Sequence, residues 1–210
     1  MTVLNFNRQQ LRYQDLVIRH SGWTVIAISA WLISNSPSVH SATQERPDSE
    51  LRQILVSAIE DSQSFKDRFD AEVWLLDMSG RLARVLEDPK ERLEILRRVH
   101  FEATRAKLEP ELVLALIQVE SNFDHFAISS AGARGLMQVM PFWLNEIGRP
   151  KDNLFNIATN LRLGCTILRF YLDKERGNLT RALARYNGSL GKTWYPNRVF
   201  RALRERWYPL

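Results

Sequence analysis

Cysteine is almost absent from the sequence, since the 210 residues contain one, Cys165. A single thiol cannot form a disulfide within the chain, and no cysteine follows the early apolar stretch, where a lipid anchor would require one. We therefore expect the mature protein to be soluble and free of disulfides. Cys165 itself lies among apolar residues at helical spacing, which predicts a buried, inert thiol rather than a nucleophile or a metal ligand.

Long hydrophobic runs are missing as well. The apolar run at 22–34 is shorter than the ~18 to 20 residues needed to cross a bilayer core. It follows a leader with three arginines and precedes Val39 and Ser41, small residues at the spacing that an export peptidase reads. We predict that residues 1–41 are a signal peptide cleaved after Ser41, and that the protein is exported to the periplasm or cell envelope. An uncleaved membrane anchor is the alternative that the sequence leaves open.

No stretch alternates apolar and polar residues for long enough to propose a sheet, and there is no internal repeat or low-complexity tract. Apolar residues instead recur at intervals of three and four, which predicts helices over 49–69, 71–88 and 89–108. Asp88 followed by Pro89 is a typical start for the third. With 45% hydrophobic and 25% charged residues, the chain can bury the core of one ordinary domain, and we predict an all-α fold.

Positive and negative charges are unevenly distributed. Residues 42–148 carry 13 basic and 19 acidic side chains, whereas residues 149–210 carry 13 basic and 4 acidic ones, a net charge of +9. The C-terminal part is therefore expected to face an anionic partner. We predict that this partner is not nucleic acid, because an exported chain rarely meets it and the sequence has neither zinc-finger spacing nor an aromatic RNA-binding signature.

One carboxylate lies at the end of an apolar segment, "ALIQVESNFD" at 115–124. Pro110 begins a helix that is apolar almost all round from Leu112 to Val119, as in a helix at the centre of a domain. Glu120 falls near its C-terminal end, where burial and the helix dipole both disfavour the charged form and no Lys or Arg lies within four residues. These effects raise the pKa, which suits a general acid working near neutral pH. A glutamate that simply points to solvent is the alternative at this stage.

The segment that follows, "SNFDHFAISSAGARGLMQVMP" at 121–141, is rich in serine, alanine and glycine. Gly132 and Gly135 permit tight turns, and small residues leave room for a bulky ligand beside Glu120. The composition therefore predicts the floor of a cleft. Asp124, the other acid close by, is expected to be solvated or to cap the frayed helix end.

Four motifs, in this order, resemble a known family. They are "ESNF" at 120–123, "SSAGARGLMQVMP" at 129–141, "NIATNLRLGCTIL" at 156–168 and "ALARYNGS" at 182–189. With them the chain resembles the lytic transglycosylases of bacterial cell walls that have the soluble-lytic-transglycosylase-type catalytic domain, akin to goose-type lysozyme. The likeness implies a lysozyme-like α-helical catalytic domain over residues 109–210. Residues 42–108 show no sign of the family, and we predict that they form an N-terminal helical extension packed on that domain.

The resemblance also implies roles for particular residues. Glu120 would be the catalytic acid and later base, with no metal or cofactor. Six residues would bind the saccharide, the last two from the wall opposite Glu120: Ser121, Ser129, Gln138, Met140, Tyr186 and Asn187. Departures from the family pattern at His125, at Arg185 and at "GS" after Asn187 are expected to alter subsite shape rather than chemistry.

The implied reaction is cleavage of the β-1,4 bond between N-acetylmuramic acid and N-acetylglucosamine in peptidoglycan, in which the sugar's own 6-hydroxyl closes a 1,6-anhydro ring. Because that nucleophile is internal, one carboxylate can suffice where ordinary glycosidases use two. A hydrolytic lysozyme on the same fold and a non-catalytic wall-binding or assembly module both stay open as alternatives. The expected partner is a peptidoglycan glycan strand, with an envelope secretion or cell-wall machinery as a further candidate, and we expect a monomer.

Overall fold

The computed structural model describes residues 64–65, 67–149 and 151–208, which form seven α-helices and one short π-helix. The α-helices are α1 (Arg68–Leu82), α2 (Pro89–Arg105), α3 (Pro110–Glu120), α4 (Trp143–Ile147), α5 (Ile157–Lys174), α6 (Leu179–Tyr186) and α7 (Trp194–Ala202). The π-helix, Leu203–Trp207, continues directly from α7. Within these ranges the predicted all-α fold is confirmed, and β pairing is limited to two isolated bridges between α3 and α4. The predicted signal peptide at 1–41 and most of the predicted helix at 49–69 lie outside the described residues.

Side chains fix the starts of four helices. Their N-cap residues each accept a hydrogen bond from a backbone N–H two or three residues further on, and they are Asp67, Asp88, Asn156 and Asn178. Asp88 with Pro89 confirms the predicted start of α2. The predicted extent of the preceding helix, 71–88, is wrong, because the cap at Asp67 starts α1 three residues earlier and the helix ends at Leu82.

The core is built around α3. Its residues 112–117 are all buried, since α2 packs against α3 as do α7 and the π-helix. Helix α5 packs on α2 and α6, and α1 packs on α2. Leu75 and Met78 of α1 belong to the same hydrophobic core as α3. The described part of the region predicted as an extension thus shares a core with the rest of the described chain.

Cys165 lies in this core on α5. Its side chain is fully buried, with Sγ 4.0 Å from the Sδ of Met137. Burial raises the pKa of the thiol far above its ordinary value, so the prediction of an inert cysteine is confirmed. No helix within the described ranges is long and apolar enough to cross a membrane.

Candidate active site

The end of α3 places Glu120 at a sharp change of chain direction. The helix ends at Glu120, as predicted, and the next turn takes Asn122 and Phe123 through left-handed backbone conformations, with φ of 49° and 68°. Such φ values are tolerated by asparagine but are costly for a bulky residue such as Phe123. The ring of Phe123 is buried against Trp207, with 5.5 Å between ring centroids. Burying that aromatic pair offsets the strain, so the π-helix fixes the turn that carries the carboxylate.

The Glu120 carboxylate is half-buried and meets one phenol. The Tyr195 hydroxyl donates a hydrogen bond to Glu120 Oε1 at 2.5 Å. Burial raises the pKa of Glu120 from 4.5 to about 7, while the hydrogen bond from Tyr195 and the positive charge of Arg198 act in the opposite direction. The predicted rise in pKa is confirmed. A carboxyl group that titrates near pH 7 can donate a proton and take one back under neutral conditions.

Sequence reasoning missed Tyr195, which lies 75 residues from Glu120 along the chain. Its side chain is buried at the start of α7. Burial and the neighbouring Glu120 raise the pKa of the phenol well above its ordinary value, so it stays protonated and acts as a donor. The only sequence signal is the "WYP" run at 194–196, which does not by itself identify a partner for a distant carboxylate.

Hydrogen bonds from side chains to the backbone hold the segment predicted as the cleft floor in its conformation. Ser121 donates from Oγ to the carbonyl of Leu136 at 2.8 Å. Gln138 donates from Nε2 to the carbonyls of Gly135 and Ala127, at 2.9 and 3.2 Å. Ser121 therefore joins the end of α3 to the floor, and Gln138 joins two parts of the floor to each other.

Ser129, also predicted to bind substrate, makes a third contact within the floor. Its Oγ accepts the backbone N–H of Ala133 at 3.0 Å.

Asn160, which sequence reasoning also missed, anchors this floor to α5. Its Oδ1 accepts the backbone N–H of Met137 at 2.8 Å, and its Nδ2 donates to the carbonyls of Arg134 and Leu154, both at 2.8 Å. The close approach requires glycine at position 135, where an added Cβ would lie 2.4 Å from the Leu154 carbonyl oxygen. A buried side-chain amide therefore replaces the backbone partners that an irregular segment lacks.

The remaining predicted residues have different surroundings. Tyr186 donates from its hydroxyl to the carbonyl of Met137 at 2.7 Å, and burial, followed by the negative charge of Glu120, raises the pKa of its phenol well above the ordinary value. Met140 is half-buried, and its carbonyl accepts a backbone N–H at the start of α4. Asn187 is the exposed C-cap of α6. The described structure thus brings Tyr186 to the floor beside Glu120, but no described contact joins Met140 or Asn187 to the carboxylate.

Asp124 does not cap the end of α3 but is solvated, which is the other of the two roles predicted for it. It is exposed, and its Oδ1 accepts the backbone N–H of Phe126 at 2.8 Å. Among the described residues, no group of three or more His, Cys, Asp or Glu side chains is placed to hold a metal ion. Glu120 offers acid–base chemistry at this site, assisted by the hydrogen bond from the Tyr195 phenol.

Comparison with known proteins places the chain in a family. The family model for the Transglycosylase SLT domain matches residues 98–206, which is more than half of the chain. The chain belongs to this family, and the resemblance seen in the sequence motifs is confirmed. The match begins within α2, whereas the boundary of the catalytic domain that we predict at residue 109 stays a prediction.

Individual relatives match over a shorter stretch. A "Transglycosylase" of Enterobacteria phage PRD1 is 33% identical over 101 residues, which cover 45% of this chain and 37% of the phage protein. A "Membrane-bound lytic murein transglycosylase C" of Histophilus somni is 39% identical over 87 residues, covering 37% of this chain and 24% of the relative. The chain thus matches well under half the length of these relatives.

Among solved structures, an inactive mutant of the lytic transglycosylase Slt from Pseudomonas aeruginosa is similar at 22% identity and a TM-score of 0.42. The alignment covers 74% of this chain and 31% of that protein. A TM-score of this size is too low to establish a shared fold.

Proposed function

We propose that this protein is a peptidoglycan lytic transglycosylase that cleaves the β-1,4 bond between N-acetylmuramic acid and N-acetylglucosamine and leaves 1,6-anhydro-N-acetylmuramic acid ends. The observation that carries the proposal is the position of the Glu120 carboxyl group at the end of the buried helix α3, where the Tyr195 hydroxyl contacts it and burial raises its pKa to about 7, in a chain that belongs to the Transglycosylase SLT domain family. One carboxyl group with this pKa can act twice in one reaction, first as an acid and then as a base.

In the first step, protonated Glu120 gives its proton to the bridging oxygen, and the glycosidic bond breaks. In the second step, the Glu120 carboxylate takes the proton of the 6-hydroxyl of the muramoyl sugar while that oxygen bonds to the anomeric carbon. No water enters, and the enzyme returns to its starting protonation state. Tyr195 supports both steps, because its hydrogen bond at 2.5 Å holds one carboxyl oxygen in place and stabilises the charged form between the steps.

A second carboxylate is not required by this chemistry, since the nucleophile belongs to the substrate. Ordinary glycosidases use two carboxylates; Asp124, four residues from Glu120, is exposed and accepts a backbone N–H at Oδ1, and we assign it no catalytic role. We propose that Ser121, Ser129, Gln138 and Tyr186 contribute by shaping the saccharide cleft. Met140 and Asn187 would line its more distant parts.

We further propose export to the periplasm or cell envelope with residues 1–41 as the signal peptide, and a monomer that acts on glycan strands. The net charge of +9 over residues 149–210 supports attraction to an anionic wall.

The test is digestion of purified sacculi followed by mass spectrometry of the products. Anhydro products, each one water lighter than the product of hydrolysis, are expected from the parent protein. Glu120→Gln should give none while still binding sacculi, because it keeps the shape of the side chain and removes the titrating proton. Products of hydrolytic mass would identify a lysozyme instead, and turnover by the Glu120→Gln variant would remove Glu120 from the mechanism.

A further inference from the structure

Trp194 is a large aromatic residue left half exposed beside the candidate catalytic carboxylate. It is the first residue of α7, and 49% of its surface is open to solvent. Its ring lies edge-on to Tyr195, with 5.8 Å between centroids and 86° between planes. Since Tyr195 is buried and bonded to Glu120, one fixed side chain separates the indole from the carboxylate.

The indole N–H of Trp194 differs from those of two other tryptophans. The Nε1 of Trp74 donates to Glu111, and the Nε1 of Trp207 donates to Gln118, at 2.7 and 2.8 Å. No hydrogen bond joins Trp194 Nε1 to any other described residue, and the ring contact described for it is with Tyr195. An exposed indole whose N–H is not bonded to any described residue, beside a reaction centre, is suited to a ligand that offers both an apolar face and hydrogen-bond acceptors.

A pyranose ring is such a ligand, because its C–H bonds form apolar faces and its hydroxyl and acetamido groups supply acceptors at the rim. We propose that Trp194 is a saccharide-binding residue on which a sugar next to the cleaved bond stacks, with the indole N–H donating to an oxygen of that sugar. This inference rests on the proposed function and adds a subsite to it. The rigid contact with Tyr195 would then hold the stacked sugar in register with Glu120, which keeps the entropic cost of positioning low.

The experiment measures binding separately from turnover. In the Glu120→Gln background, peptidoglycan glycan fragments of defined length, free of stem peptides, are titrated by calorimetry. Trp194→Ala should raise the Kd about tenfold, the size of one lost aromatic contact, whereas Trp194→Phe should retain most of the affinity. Phe170→Ala is the matched control, because Phe170 is 51% exposed on α5, and its Kd should equal that of the background variant.

Two further readouts guard against a structural explanation. With Glu120 intact, Trp194→Ala should keep the parent's pH profile, because the bond between Tyr195 and Glu120 is retained. Its melting temperature should stay close to the parent's, since the removed side chain is half exposed. A shifted pH profile together with an unchanged Kd would make Trp194 a support for Tyr195 and overturn the inference.

An unchanged Kd for both Trp194 variants would also overturn it. Phe126 is another exposed aromatic on the segment after Glu120, so loss of affinity in Phe126→Ala but not in Trp194→Ala would place the sugar elsewhere. The proposed function is judged separately by whether Glu120→Gln still turns over sacculi. Inactive Glu120→Gln with full binding by Trp194→Ala would refute the subsite and leave the enzyme intact.

Discussion

Replacing Glu120 by glutamine should make the protein more stable at alkaline pH. In the folded state the pKa of Glu120 is about 7, against an ordinary value of 4.5. Between these two values the unfolded chain has released the proton while the folded chain keeps it, so stability falls as pH rises through this window. At about 1.4 kcal/mol per pKa unit, a difference of about 2.5 units between 4.5 and 7 amounts to at most about 3.5 kcal/mol above pH 7. Glutamine keeps the shape and an oxygen acceptor for Tyr195 but never ionises, and therefore escapes this cost.

The assay is urea unfolding of the parent and of Glu120→Gln at half-unit steps from pH 4 to pH 8.5. The two free energies of unfolding should be similar at pH 4, separate between pH 4.5 and 7, and differ by a constant amount above. In a thermal melt at pH 8 the variant should unfold up to roughly 7 to 14 °C later, given ~2 to 4 °C per kcal/mol for a domain of this size.

His100 provides a reason to use the difference between the two proteins rather than either curve alone. Burial lowers the pKa of His100 from 6.5 to about 4, so its contribution to stability rises with pH over an overlapping window. This contribution is common to both proteins and cancels in the difference. A difference that does not change with pH would show that Glu120 has an ordinary pKa and would refute the argument for it as a general acid.

Three further substitutions test the surroundings of Glu120. Tyr195→Phe removes one hydrogen bond to the carboxylate, so the catalytic rate should fall about ten- to a hundredfold. The pH above which activity is lost should rise, because this hydrogen bond lowers the pKa of Glu120. A lower rate with an unshifted pH profile of activity would contradict the contact. Arg198→Gln removes a positive charge that lowers the pKa of Glu120, so the pH profile of activity should again shift to higher pH. Arg201→Gln, at another exposed position on α7, is the control and should have the parent's pH profile. Gly164→Ala places a Cβ 2.3 Å from the Sδ of Met137 in the cleft floor. Overpacking should lower the free energy of unfolding by about 1 to 3 kcal/mol, which a thermal melt would show as a lower melting temperature. An unchanged melting temperature would show that the floor can move aside.

Local sequence is sufficient for much of the fold around the site. Apolar residues on every side from Leu112 onward require a buried helix, and Pro110 can begin one, so α3 and its end at Glu120 could both be predicted. The pairing of Asp88 with Pro89 specifies the start of α2 in the same way. The raised pKa of Glu120 follows from the same burial, because desolvation depends first on being in the core. These features rest on residues a few positions apart, for which helical geometry converts spacing directly into position.

The distant residues that meet the carboxylate depend on how the helices pack. Tyr195 and Arg198 reach Glu120 because α7 packs on α3, and helical periodicity carries no information about which helices become neighbours. Asn160 presents the same difficulty, since an asparagine inside an apolar helix shows no sign that its amide will hold a loop 23 residues earlier in the chain. Local sequence pattern therefore specifies a buried acid at a helix end. Packing of the last helices against α3 decides which donor and which cation set its protonation, because a hydrogen bond or a charge acts through space and not along the chain.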